Sequence, residues 1–86
     1  MSDYYFIAFE STNHALSAED YLKNNNCNIT IIPTPREVSA SCGLSIKFNS
    51  KDIDMIKGFI DSGFIKVKGI YRRKDENGMG RIVKVR

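Results

Sequence analysis

The sequence predicts an α+β fold, a two-layer sandwich with two helices on one face of an antiparallel sheet, and three observations carry that prediction. Apolar runs of strand length and apolar stripes at helical spacing follow one another in the order β-α-β-β-α-β. Each of the two helical segments opens near a hydroxyl residue able to cap it and closes on asparagine or glycine. The chain has 86 residues, too few to divide its apolar content between two cores, so all elements share one.

Tyr4 to Phe9 is a continuous aromatic and aliphatic run, apolar at both alternating sets of positions, as suits a strand in the middle of a sheet. Ser11 and Thr12 then offer hydroxyl N-caps. Ala15, Ala18 and Leu22 recur at spacings of three and four, flanked by Leu16 and Tyr21, which predicts a helix over about 12–24. Asn24-Asn25-Asn26 ends it, because asparagine tolerates left-handed geometry. Cys27, Ile29 and Ile31 alternate with Asn28 and Thr30 up to Pro33, and Leu44, Ile46 and Phe48 alternate with Ser45 and Lys47, giving two half-buried strands. Between them Thr34 to Gly43 is too long for a tight turn. Ser50 is placed to cap a second helix carrying Ile53, Ile56 and Ile60, which closes at Gly63. Ile65, Val67 and Tyr71 mark a fourth strand. This order is that of the ferredoxin-like split βαβ sandwich. Asn77-Gly78 is a strong hairpin dipeptide, and Arg81 to Val85 reads as a fifth strand beside the fourth. The chain thus divides into a main unit, residues 1–73, and a basic hairpin extension, residues 74–86.

Composition narrows the chemistry. Apolar residues at 42% and charged residues at 27% are ordinary for a globular domain, which argues against a disordered chain. The expected location is the cytoplasm: no apolar run approaches the roughly 18 residues of a membrane span, and Met1-Ser2-Asp3 lacks the basic start of a signal peptide. With 2 cysteines and 1 histidine the usual four-ligand zinc site cannot be assembled, and no metal or other cofactor is expected. The net charge of +3 is unevenly spread. Residues 1–65 carry 5 basic and 8 acidic side chains, whereas residues 66–86 carry 8 basic and 2 acidic ones, so the tail is the basic part.

The topology directs attention to Cys42. In this fold strands one and three are antiparallel neighbours, so Glu10 to His14 are expected to face Ser41, Cys42 and Gly43, with the loop near Ser62 and Gly63 at the same edge. A helix N-terminus stabilises a nearby anion, and a thiolate is one. Gly43 removes bulk beside the sulfur, Arg36 and His14 can add positive charge, and Ser39 and Ser41, with Ser11 and Thr12 at the helix start, offer hydroxyls. Together these predict a thiol more acidic than free cysteine. The plainer alternative is that a lone cysteine serves as a small buried apolar residue. That reading fits Cys27, whose alternation with Ile29 and Ile31 points it into the core. A Cys27 to Cys42 disulfide is not expected, since the two precede strands at opposite ends of the sheet.

The residues Phe9-Glu10-Ser11-Thr12, His14-Ala15-Leu16 and Glu19, with Ile32-Pro33-Thr34-Pro35-Arg36-Glu37-Val38-Ser39-Ala40-Ser41-Cys42-Gly43-Leu44, resemble a family of small bacterial domains, the selenium/sulfur carrier protein-like family. The likeness spans about residues 4–72. It implies a carrier rather than a catalyst: Cys42 would accept sulfur or selenium as a persulfide-type adduct from a donor protein and hand it to an acceptor protein. The Asn24 to Cys27 helix exit lacks the glycine expected of relatives, and the basic hairpin after Arg73 lies beyond the domain's usual end.

Two other functions fit parts of the chain. A regulatory or scaffolding module, binding a small ligand or forming a homodimer, is consistent with a first strand apolar on both faces. RNA recognition uses the same element order, but it needs aromatics on the exposed side of strand three, where Ser45 and Lys47 stand instead. Nucleic acid is therefore not the expected partner.

Overall fold

In the computed structural model, residues 3–39, 43–76 and 78–86 are described. Five strands and two helices follow in the order β1 (Tyr4–Ala8), α1 (Thr12–Asn24), β2 (Ile29–Pro33), β3 (Leu44–Phe48), a 3-10 turn (Ser50–Asp52) leading into α2 (Ile53–Asp61), β4 (Gly69–Glu76) and β5 (Met79–Lys84). The strands form one antiparallel sheet in the order β2-β3-β1-β4-β5. This α+β arrangement is consistent with the ferredoxin-like class, with the extra strand at the edge beside β4.

β1 lies in the middle because it can be buried on both sides. Ile7 and Phe9 join Ile46, Phe48 and Ile70 in the core, together with Ala15, Ala18 and Leu22 of α1 and Ile56 of α2. Both helices therefore cover the face to which the odd-numbered residues of β1 point. Phe6 and Ala8 point to the other face and are also buried. There Phe6 stacks on Tyr71 across the β1–β4 pair, with ring centroids 5.5 Å apart. Tyr21 of α1 meets Phe59 of α2 edge-on at 5.0 Å, which packs the helices side by side.

Both helices end the same way with different residues. After α2, Gly63 takes φ +81°, its N–H donates to the Ile60 carbonyl, and the Phe64 N–H donates to Phe59. After α1, Asn26 takes φ 62°, with Asn26 N–H on Lys23 and Cys27 N–H on Leu22. These are two Schellman closures, and Asn26 performs in one what glycine performs in the other. The missing glycine at the first helix exit is thereby accounted for.

Two expectations are corrected. Ser50 does not cap the second helix: it lies inside the 3-10 turn, which Asn49 caps by accepting from the Lys51 N–H at 3.2 Å, and the N-cap of α2 itself is Asp52, which makes no side-chain capping bond. The fourth strand begins at Gly69, not at Ile65. Ile65 and Val67 are buried or half-buried against the core without pairing in the sheet, and their alternation reports burial, not strand hydrogen bonding. The tail crosses at Gly69, where a Cβ would lie 3.1 Å from the Arg86 carbonyl oxygen, so glycine suits the close approach. Among the described residues no helix is long and apolar enough to cross a membrane.

Candidate functional site

The connection between β2 and β3 is closed at its neck. The Thr34 N–H donates to the Gly43 carbonyl at 3.1 Å, and the Thr34 and Ser45 hydroxyls are hydrogen-bonded at 2.6 Å. Ser45 is fully buried, so this bond satisfies a hydroxyl that would otherwise be stranded. Beyond the neck the chain turns at once: the Val38 and Ser39 N–H groups both donate to the Pro35 carbonyl. Proline is compatible with that first turn position, which uses only its carbonyl and asks for no N–H. Arg36 and Glu37 at the tip are exposed, and Val38 and Ser39 are half-buried. Ser41 and Cys42 lie outside the described residues. Gly43 is exposed, and a Cβ there would meet no described atom within 4 Å.

The pairing of Ala8 with Ser45 and of Pro33 with Leu44 brings the loop neck and the start of α1 to the same end of the sheet. Ser11 is the N-cap: its backbone is extended and its hydroxyl accepts from the His14 N–H at 3.3 Å. That hydroxyl is thus committed to the helix, while Thr12 is exposed in the first turn. No acidic side chain stands in that turn, so the positive end of α1 is not neutralised from within the helix. His14 is half-buried and lies against the connection after α2, lining a cavity of about 260 Å³ with Gly63, Phe64 and Lys66. Its Nδ1 is buried and has no hydrogen-bond partner among the described residues. The expected meeting of the α1 start with the loop after α2 is therefore present through His14. Arg36 stands at the loop tip, away from the neck in sequence.

Cys27 occupies the other environment. It is 6% exposed and belongs to the core between α1 and β2. Burial, with the nearby Asp52 carboxylate adding to it, pushes its thiol above the ordinary range. A neutral, enclosed thiol packs well and reacts poorly.

Residues 4–72 match the family model described as "Putative Se/S carrier protein-like". The chain belongs to this Se/S carrier protein-like family. No curated protein and no solved structure matches the chain significantly. The family region includes β1, both helices and the whole β2–β3 loop, and it ends within β4. A carrier-like domain of this kind implies donor and acceptor proteins in general terms. Among the described residues no group of three or more His, Cys, Asp or Glu side chains is arranged to hold a metal ion.

Sequence reasoning missed the Thr34–Ser45 hydroxyl pair, which fixes the loop neck. Its only signal is two hydroxyl residues on either side of a loop, and they become partners only once the register is known.

Proposed function

We propose that this protein is a sulfur or selenium carrier and that Cys42 is its carrier thiol. The observation that carries the assignment is the burial of Cys27. The chain has 2 cysteines, one of them is sealed in the core with its thiol held neutral, and a carrier of this family needs one that a donor can reach. Cys42 follows directly in sequence on the loop whose neck is fixed through Thr34, Gly43 and Ser45.

The chemistry asked of it is a single exchange. The Cys42 thiolate attacks the terminal sulfur of a donor persulfide, R–S–SH, forms a new S–S bond and breaks the old one. The products are Cys42–S–SH and the donor thiolate R–S⁻, with no net oxidation and no further reactant. Selenium transfers in the same way from the corresponding R–S–SeH. Delivery repeats the step with an acceptor thiolate as nucleophile. The unneutralised start of α1, with Ser11 as cap, stands at the same end of the sheet and favours an anion there. Arg36, His14, Ser39 and Ser41 are supporting groups in this reading, and Gly43 leaves room for the donor.

The test is loading. Purified, reduced protein is incubated with a cysteine desulfurase and cysteine, and its intact mass is measured. The expected gain is one sulfur, kept in Cys27→Ser and lost in Cys42→Ser. Equal labelling of both cysteines, or of neither, would instead favour a non-catalytic scaffolding module.

A further inference from the structure

Both helices pack on the side of the sheet to which Ile7 points, which leaves the side of Phe6 without a helix. Residues directly opposite one another in an antiparallel pair share a side, so the register gives the rows of this open face. Phe6 is opposite Lys47 in β3 and Tyr71 in β4, Tyr71 is opposite Lys84, and Lys47 is opposite Thr30. One row therefore runs Thr30, Lys47, Phe6, Tyr71, Lys84 across all five strands. The row on one flank holds Tyr4, Arg73 and Ile82. On the other flank Ser45, Ala8 and Gly69 are small and buried, which keeps the surface flat. β3 offers no ring to partner those of β1, but β4 does, and sequence order alone does not show that β4 is the neighbour.

Rings and cations meet on this face. Tyr4 and Tyr71 are half-buried, with ring centres 6.1 Å and 5.5 Å from that of Phe6, which is fully buried. Phe6 is the floor, and the two tyrosine rings are what a ligand can reach. Lys47 is exposed, and its Nζ stands 4.9 Å from the Tyr4 ring centre. Arg73 lies across the face over Gly80, where any Cβ would collide with its guanidinium. Among the described residues none of Lys47, Arg73 and Lys84 has an ion pair. The one carboxylate on the described part of this face, Asp75, stands a row beyond Arg73, opposite Gly80. Reachable rings flanked by unneutralised cations on a flat sheet suit a ligand with planar groups and regularly spaced negative charge. A second copy of the chain would set its own cations against these. None of the large exposed apolar side chains is in these rows, so the face has nothing to insert into a membrane.

We propose that this open face binds single-stranded nucleic acid, with bases against Tyr4 and Tyr71 and phosphates on Lys47, Arg73 and Lys84. The inference goes beyond the carrier reading and does not depend on sulfur chemistry at Cys42.

Fluorescence anisotropy of the full chain with labelled oligouridine and oligothymidine of about 12 nucleotides tests it. At low ionic strength at least one of the two should bind, and the tighter distinguishes RNA from DNA. The logarithm of the affinity should fall with that of the salt concentration at a slope near −2, about −0.7 for each of three phosphate contacts. Lys47→Gln combined with Lys84→Gln, both at exposed positions, should flatten that slope by about 1.4. Lys66→Gln, beside His14 on the helix side, should leave it unchanged. Tyr4→Leu and Tyr71→Leu should each weaken binding about tenfold. A duplex and a polyglutamate of equal length, which carry charge without accessible bases, should bind more weakly. Failure of both single strands to bind, a salt slope that the paired lysine substitutions leave unchanged, full affinity in both tyrosine variants, or equal affinity for the duplex or the polyglutamate would overturn the proposal.

Discussion

Cys27 and Asn26 stand side by side, and each has an environment that decides its role. Burial raises the Cys27 thiol, so the native state favours its neutral form more than the unfolded chain does. That contribution is fully present below the ordinary thiol range and is lost as pH rises through the raised native value. In a Cys42→Ser background, urea unfolding should therefore show stability declining on the alkaline side. Cys27→Ala should cost about 1 kcal/mol at neutral pH and show a shallower alkaline decline; identical pH profiles would contradict the burial argument. The placement of Cys27 was legible in the sequence because alternation with Ile29 and Ile31 sets its side. The left-handed turn at Asn26 was legible only as a helix end, since three adjacent asparagines leave open which of them takes φ 62°.

The β2–β3 connection is held by contacts between its two ends. Thr34→Val removes the partner of a buried hydroxyl and should cost about 1–3 kcal/mol, whereas the double variant Thr34→Val, Ser45→Ala removes both and should recover most of that loss. Chemical denaturation of the single and double variants measures this coupling, and strictly additive losses would show that the hydroxyl pair does not matter. No periodicity in the sequence announces such a bond, because it depends on which residues the strands place opposite one another. The start of β4 illustrates the converse. Ile65 and Val67 alternate as a strand does, yet they pack into the core as an irregular connection, and hydrophobic pattern alone cannot distinguish the two.

Across the whole molecule, the acidic first part and the basic tail are joined through specific pairs. Arg72 reaches Asp3 and Arg86 reaches Asp61. Asp3 also accepts from the Asp75 N–H, and that bond, aided by Arg72, holds its carboxyl below the usual carboxylate range. The link is present above the ordinary carboxylate pKa and is lost as pH falls through the depressed native value. The protection factor of the Asp75 amide, its exchange relative to an unstructured amide at the same pH, should fall in that acid window. Asp3→Ala, which removes the acceptor, should lower that protection at all pH values; unchanged protection would mean the hairpin is held without Asp3. The overall α+β plan was legible because one chain of this size has few ways to bury two amphipathic helices and a strand apolar on both sides. The chemistry was legible only as far as the loop that bears Cys42.

The carrier assignment rests on a division of labour between two thiols, and timed alkylation of the native protein at neutral pH, quenched and mapped by peptide mass, tests that division most directly. Cys42 should be modified rapidly while Cys27 stays protected until the protein is unfolded. Modification of Cys27 at a rate equal to or above that of Cys42 would contradict the account.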